Sequence, residues 1–432
     1  MTTCKNILEG LATGTYDARL ERLGCCGSGP ALEAQRERIA RAVCRYQELF
    51  SAGPDAPAAV FSGPGRTEIG GNHTDHQNGR VLCASVNMDM LAVVAPNGTG
   101  LIRVCSEGYP DLTVDLSVLT PVAEEAETSA ALVRGVVAGV AGKGCTPGGF
   151  DAYVTSNVPA GSGLSSSAAY EVLMGVILNH LFCGDTLSSV TLAQLGQAAE
   201  NRFFGKPCGL MDQTASAVGG AVSIDFRDPA APVVRRVNFD FTVSGHALCI
   251  IDSGADHADL TDEYAAIPGE MKAVAAALGK SVLREVDEPE FRAHIPALRK
   301  TLGDRAVLRA MHFFAEDRRA AKEAEALEQG DFDHFLTLVR ASGLSSALRL
   351  ENTWVAAEPR QQAIPIVLAQ AEELLGGRGA VRVHGGGFAG TVQAFVPNDL
   401  LPCFRLGMDA LLGPGMCHVL SIRPEGGCTV IE

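Results

Sequence analysis

Residues 158–169 read VPAGSGLSSSAA, and no other stretch of the chain restricts its architecture so tightly. The apolar run from Phe150 to Val158 predicts a strand before it. Val172, Leu173, Val176, Ile177 and Leu181 after it fall at helical spacing. A strand, a glycine–serine turn and a helix start, in that order, gather unpaired backbone N–H groups with partial positive charge at one point. Gly161 and Gly163 let the backbone approach an anion closely. Ser165, Ser166 and Ser167 bring hydroxyls suited to phosphate oxygens or a magnesium ion. The plainer alternative is an ordinary N-capped helix behind a glycine turn. The stretch is not a Walker A loop, which needs a glycine, four residues, then Gly-Lys-Ser/Thr. Gly279-Lys280-Ser281 has Val274 where that first glycine belongs, and reads instead as a helix C-terminus stopped by Gly279.

The chain has 432 residues, 47% of them apolar, enough for two packed lobes. No apolar run reaches the roughly 18 residues of a membrane span, and the opening MTTCKNILEGLATG lacks the layout of a signal peptide. The 13 cysteines are odd in number and scattered, without a CxxC, which suits free thiols in a reducing cytoplasm and argues against a disulfide framework or a zinc site. A net charge of −15 argues against nucleic acid or an anionic membrane as partner. It says little about a small anion, which senses the field of its own pocket.

Residues 31–50 predict an amphipathic helix with Leu32, Ile39, Val43, Tyr46 and Phe50 on one face. Strands are expected over 58–62 and 80–95 around a glycine-rich loop, and over 219–226. A helix is expected over 186–204. A second half begins near 240, with a strand at 246–252, a helix-rich stretch to about 375, and strands within 381–396 and 417–424. Strands and helices mixed without regular alternation predict an α+β fold. It divides into an N-terminal lobe, 1–240, and a C-terminal lobe, 241–432. Residues 1–30 carry no reading.

Three further constellations carry chemistry. Between the first two strands lies GRTEIGGNHTDH, 65–76, where Asn72, His73 and Asp75 offer the donors and acceptors that recognise sugar hydroxyls. A solvated surface loop is the alternative, and His73, Asp75 and His76 have no diagnostic metal spacing. Second, Glu200 precedes Cys208-Gly209-Leu210-Met211-Asp212-Gln213, where Asp212 stands among apolar neighbours as either a paired structural carboxylate or a working base. Third, Gly385, Gly386, Gly387 and Gly390 lie between two strands and permit a close backbone approach or form a plain connection.

In this order and spacing the segments resemble the kinase superfamily of galactokinase, homoserine kinase, mevalonate kinase and phosphomevalonate kinase, and within it the galactokinases. The resemblance rests on GPGR…GxHxD…G at 63–79, VPAGSGLSSSAAYEV at 158–172, AEN…GKPCGLMDQ at 199–213 and HGGGFAG at 384–390. Asp262-Glu263-Tyr264, and His312 with Glu316, add to it. It implies a two-lobed α+β fold with the active site between the lobes. ATP, with magnesium, would phosphorylate the anomeric hydroxyl of a galacto-configured sugar. By matching position, Asp212 would be the catalytic carboxylate and Arg66 its partner, which keeps Asp212 ionised and neutralises charge on the moving phosphoryl group. Ser167 and Glu200 would hold the metal. Pro159, Gly161, Ser162, Gly163, Leu164, Ser165, Ser166, Ser167 and Ala168 would wrap the phosphates. Asn72, His73, Asp75, Gly209 and Tyr264 would bind the sugar. The expected protein is cytoplasmic, a monomer or weak oligomer.

The match breaks in three places. The family text GRVNxxGEHxDY is GRTEIGGNHTDH here, so Thr67-Glu68 replace Val-Asn, Asn72 replaces glutamate and His76 replaces tyrosine. Val383-His384 replace Met-Thr, and no arginine follows Tyr264. The family glutamate is expected to accept a hydrogen bond from the sugar's O6 hydroxyl. A neutral Asn72 would not repel a carboxylate at C6, so galacturonate or another C6-altered sugar stands beside galactose as substrate. A regulator that binds ATP and sugar without turnover would show a damaged phosphate loop or lack the carboxylate, and neither holds here. Mevalonate or homoserine phosphorylation is disfavoured by the His73-x-Asp75 pair and CGLMDQ.

Overall fold

The computed structural model describes residues 1–25, 27–159, 163–206, 208–255 and 260–432. The strands are β1 (Thr2–Thr3), β2 (Pro57–Gly70), β3 (Arg80–Pro96), β4 (Leu101–Ser106), β5 (Leu112–Asp115), β6 (Phe150–Ser156), β7 (Ala221–Asp225), β8 (Val233–Val237), β9 (His246–Asp252), β10 (Ala380–Val383), β11 (Thr391–Pro397), β12 (Cys417–Leu420) and β13 (Cys428–Ile431). The helices are α1 (Cys4–Thr13), α2 (Asp17–Gly24), α3 (Pro30–Phe50), α4 (Ser129–Ala141), α5 (Ser166–Cys183), α6 (Ser189–Ala199), α7 (Met211–Val218), α8 (Thr261–Ala277), α9 (Glu288–Leu302), α10 (Asp304–Glu328), α11 (Phe332–Ser345), α12 (Ala363–Leu375) and α13 (Leu401–Leu412). The mixed α+β class expected from the sequence is the one observed.

A long β2–β3 hairpin organises the first sheet, whose order is β1-β2-β3-β6-β4-β5. The far half of β3, Met90 to Pro96, pairs with β6, while its near half, Arg80 to Ala84, pairs with β7. One hairpin thus leads from the floor under α5 to the second half of the molecule. The second sheet, β10-β11-β9-β12, is antiparallel throughout. The chain end returns to the first sheet, where β13 pairs with β2.

Three differences from the sequence reading have physical causes. The segment 63–70, expected as loop, is strand: β2 runs unbroken through Arg66 to Gly70, bulged near Pro64 and near Glu68. It is buried on both faces because α5 lies directly on it. A Cβ on Gly63 would come within 2.4 Å of the Ala169 carbonyl oxygen, so side-chain alternation is absent and glycines mimic a loop. Helix α5 is long and apolar enough in composition to cross a bilayer, yet 67% of it is buried inside the protein. Its apolar residues face β2 and helices α4, α6 and α7 rather than a single side. Finally, the expectation of free thiols fails at Cys145 and Cys183. They are disulfide-bonded with Cα atoms 5.4 Å apart, because the C-terminal end of α5 meets the loop leading into β6.

Residues 1–24, unread in the sequence, form β1, α1 and α2. Cys4, Ile7, Leu11, Leu20 and Leu23 pack with Ile39, Val43 and Tyr46 of α3 against the outer face of the first sheet. Burial of this size, at about 25 cal/mol per Å² of apolar surface, is enough to fix the segment on the sheet.

Candidate active site

Arg66 projects from β2 and is buried, with 9% of its side chain exposed. Its Nε donates to Asp212 Oδ1 at 2.7 Å and its Nη2 to Asp212 Oδ2 at 2.6 Å. This bidentate fit matches guanidinium to carboxylate and fixes both. Its Nη1 donates to the Gly163 carbonyl, so one side chain holds the glycine–serine loop and the carboxylate together. Asp212 is the second residue of α7, where helix N–H groups favour a negative charge. Its side chain keeps 30% exposure, an opening toward solvent that Arg66 lacks. Burial alone would raise its pKa. The Arg66 guanidinium and the Ser165 hydroxyl outweigh that and hold the carboxyl below its ordinary value.

The loop end lies beside this pair. Gly163 has φ +69°, and a Cβ there would meet Thr391 Oγ1 at 2.9 Å and His384 Nδ1 at 3.1 Å, so the residue must be glycine. Leu164 is buried. Ser165 has φ +56° and precedes the first turn of α5, where Ser166, Ser167 and Ala168 stand with their helix-terminal N–H groups. Gly161 and Ser162 lie outside the described residues; Pro159 is described.

Glu200 closes α6 in a π turn and is 4% exposed. Gln213 Nε2 bridges Glu200 Oε2 at 3.0 Å and Glu171 Oε2 at 2.9 Å. Lys206 Nζ lies 3.6 Å from Glu200 Oε1. Glu171, on α5 one turn past Ser167, is fully buried. Desolvation, reinforced by Glu200, lifts its pKa well above the ordinary value. Its Oε1 and Gln213 Oε1 have no hydrogen-bond partner. Sequence reading missed Glu171 and Gln213. The only signal was the fourfold spacing that places Glu171 on the Ser167 face of α5. One carboxylate and one hydroxyl suit magnesium, which takes few protein ligands and completes its shell with phosphate oxygens and water. Among the described residues no cluster of three or more His, Cys, Asp and Glu side chains is placed to hold a metal.

The loop 71–79 carries the polar residues expected at a sugar. His73 has φ +58° and is 8% exposed. Burial and neighbouring His76 push its pKa down to about 4. Its Nε2 lies 2.9 Å from the Gly386 carbonyl, which can only accept, so the proton sits on Nε2. Nδ1 is then an acceptor, buried and unpartnered. Asp75 opens a short turn. A Cβ on Gly209 would come within 2.5 Å of its Oδ2, so the glycine lets the carboxylate lie close to the backbone. Tyr264 donates to the Gly387 carbonyl at 2.7 Å and stacks edgewise on Phe388. Gly385 to Gly390 form the β10–β11 turn; at Gly387, φ is +82° and a Cβ would collide with the Asn352 carbonyl at 2.1 Å.

Asn72 does not present its amide to open space: it is 0% exposed. Its Nδ2 donates to Glu68 Oε1 at 3.1 Å and to the Gly385 carbonyl at 2.6 Å. Its Oδ1 accepts from Asn352 Nδ2 at 2.9 Å and Ser346 Oγ at 3.2 Å. Its backbone is cradled by α10, where Glu316 Oε1 accepts from the amides of Gly71 and Asn72 and His312 Nε2 lies 2.9 Å from the Asn72 carbonyl. His312 and Glu316 thus set the loop from behind. Glu68 also accepts from Arg382 Nη2 at 2.5 Å, and Gln393 Nε2 donates to Thr67 Oγ1 at 2.8 Å. His384 Nε2 lies 3.0 Å from the same hydroxyl. The residues that depart from the family text at 67, 68, 72 and 384 therefore meet in one buried network.

A serine-rich helix start, an arginine–carboxylate pair and a polar loop are thus assembled on this fold. The chain matches the family described as GHMP kinases N terminal domain over residues 131–220 and the galactokinase galactose-binding signature over 45–96. The structure of Lactococcus lactis galactokinase complexed with galactose superposes with a TM-score of 0.76 at 25% identity, covering 90% of this chain and 99% of that one. Methanococcus jannaschii mevalonate kinase (TM-score 0.61, 12% identity, 85% and 99% covered) shares the fold. So does Streptococcus pneumoniae phosphomevalonate kinase in complex with phosphomevalonate and AMPPNP (0.57, 13%, 84% and 99%). The two family matches and the superposition on the Lactococcus enzyme make this chain galactokinase-like and support a sugar kinase.

Proposed function

We propose that this protein transfers the γ-phosphoryl group of ATP to the anomeric C1 hydroxyl of galactose or a closely related galacto-configured sugar. The observation that carries this reading is the Arg66–Asp212 pair, joined through Gly163 to the serine-rich start of α5. AMPPNP in the phosphomevalonate kinase and galactose in the Lactococcus enzyme are consistent with it. The sugar would sit between 1–240 and 241–432, taken as two lobes. Asp75 and the free Nδ1 of His73 would receive its hydroxyls, with Gly209 and Tyr264 lining the space.

Phosphoryl transfer asks for position and charge more than covalent help. The C1 oxygen attacks the γ-phosphorus as the bond to the β–γ bridging oxygen breaks, and the C1 proton goes to Asp212. Arg66 keeps Asp212 ionised as acceptor and lies where negative charge spreads over the phosphoryl oxygens. Gly163, Leu164, Ser165, Ser166, Ser167 and Ala168 would follow the phosphates with backbone N–H groups and hydroxyls, with Pro159 shaping the start of the loop. Ser167 and Glu200 would hold magnesium, which when bound offsets phosphate charge. Glu171, through Gln213, would keep the Glu200 carboxylate turned toward it.

The test is ADP release from ATP and magnesium with galactose, galacturonate, N-acetylgalactosamine, arabinose, fucose, glucose and mevalonate, with Asp212→Ala as blank. Sugar-dependent release with the product labelled at C1 supports the proposal. Release with mevalonate alone, or sugar binding without release, overturns it; the latter would indicate a regulator.

A further inference from the structure

We infer that Glu68 and Asn72 are a reciprocally exchanged carboxylate–amide pair, and that the exchange leaves the sugar site unable to read the substituent at C6. The inference rests on the sugar 1-kinase reading and refines its substrate class.

The family text places an amide at position 68 and a carboxylate at 72; this chain places the carboxylate at 68 and the amide at 72. Here the two groups are hydrogen-bonded, Asn72 Nδ2 to Glu68 Oε1 at 3.1 Å. The composition of the pair is conserved while its polarity is reversed. At 68 the charge is answered from behind by Arg382, itself fully buried and also bonded to the Ile69 carbonyl. At 72 the amide has two donors and two acceptor positions. Glu68, Gly385, Asn352 and Ser346 take all four. A group so committed has no capacity left for a sugar hydroxyl.

The neighbouring residues differ in kind. His73 keeps a buried, unpartnered Nδ1, and the Asp75 carboxylate lies against the Gly209 backbone. These two can still select the ring hydroxyls, so specificity is retained around the ring and lost at C6. A site built to bond a hydroxyl rejects the analogue lacking it by factors of about 10⁴. An Asn72 amide with no free donor or acceptor has no such lever. Four residues hold the reversed arrangement: Thr67, Glu68, His384 and Gln393 are linked to one another. A lone change at 72 would therefore meet a wall adapted to asparagine.

The experiment measures kcat/KM, and Kd by calorimetry, for galactose, 6-deoxygalactose and galacturonate. The proteins are wild type, Asn72→Glu, and the double exchange Glu68→Asn with Asn72→Glu. The wild type should treat galactose and 6-deoxygalactose within about tenfold in both quantities. Asn72→Glu alone sets two carboxylates against each other and should lose thermal stability. The double exchange should regain that stability, prefer galactose over 6-deoxygalactose by 100-fold or more, and raise KM for galacturonate more than for galactose. A 100-fold wild-type preference for galactose, in turnover or binding, overturns the inference while leaving the kinase reading intact. So does a folded double exchange with wild-type selectivity. If the exchange does not fold, the wild-type ratios decide; absence of binding or turnover with every sugar overturns both readings.

Discussion

The two ends of the candidate site are built on opposite principles. At the proposed reacting end stands one ion pair, Arg66–Asp212, whose carboxylate is 30% exposed. At the other end, the wall of Thr67, Glu68, Asn72, Arg382, His384 and Gln393 is almost wholly buried and hydrogen-bonded to itself. The first leaves a carboxylate partly open; the second fixes shape and charge through bonds among its own side chains, with Gln393 Oε1 left unpartnered. Residues that touch reacting atoms are constrained one at a time. Residues in a buried polar network are constrained together, because an unmet hydrogen bond in a low-dielectric interior costs about 1–3 kcal/mol. That explains why the family text survives singly at Arg66 and Asp212 yet changes at several positions at once in the wall.

The contrast can be broken most decisively at Asp212. Asp212→Asn keeps one acceptor for Arg66 but cannot take a proton; it should lower kcat about 10³-fold, and the melting temperature should fall as Arg66 loses its counter-charge. A loss of stability without loss of turnover per folded molecule would make the pair structural and erase the distinction. Arg382→Met tests the other end. It leaves Glu68 buried without its cation, and should destabilise the protein by about 3 kcal/mol, read by urea denaturation, with galactose KM changed far more than kcat. An unchanged denaturation midpoint would mean that the wall is not a coupled unit.

The smallest effect concerns Glu323, buried behind the wall on α10 with both carboxylate oxygens unpartnered. Burial lifts its pKa to about 8. A folded-state pKa above the unfolded value means stability is complete below about 4.5 and lost as pH rises toward 8. Glu323→Gln should therefore match wild type near pH 4.5 and melt a few degrees higher at pH 8. Equal melting curves at both pH values would show that the carboxyl finds compensation in solution.

Much of this was legible in the chain. The glycine–serine turn between an apolar run and a helical one announced β6, the loop end and α5, because local geometry and the anion site are written in adjacent residues. The boundaries at 246–252 came out as read, since a buried strand of β-branched and apolar residues is a local signal. Arg66 and Asp212 could be paired only through resemblance: they are 146 positions apart and meet because β2 and the start of α7 converge. Nothing local separates Asp75, which lies against a glycine backbone, from Asn72, three positions earlier and sealed on every side.

By itself the sequence determined the fold class and the strand–turn–helix order of β6 and α5, because these depend on short-range spacing and residue type. Only the tertiary structure decided which polar side chains still have hydrogen-bonding capacity to give. Asn72 spends all of its on Glu68, Gly385, Asn352 and Ser346, partners up to 313 positions distant. His73 keeps one acceptor unspent. Saturation is a property of the packed interior, where each donor and acceptor must find its complement at a fixed distance, and no stretch of sequence holds that accounting.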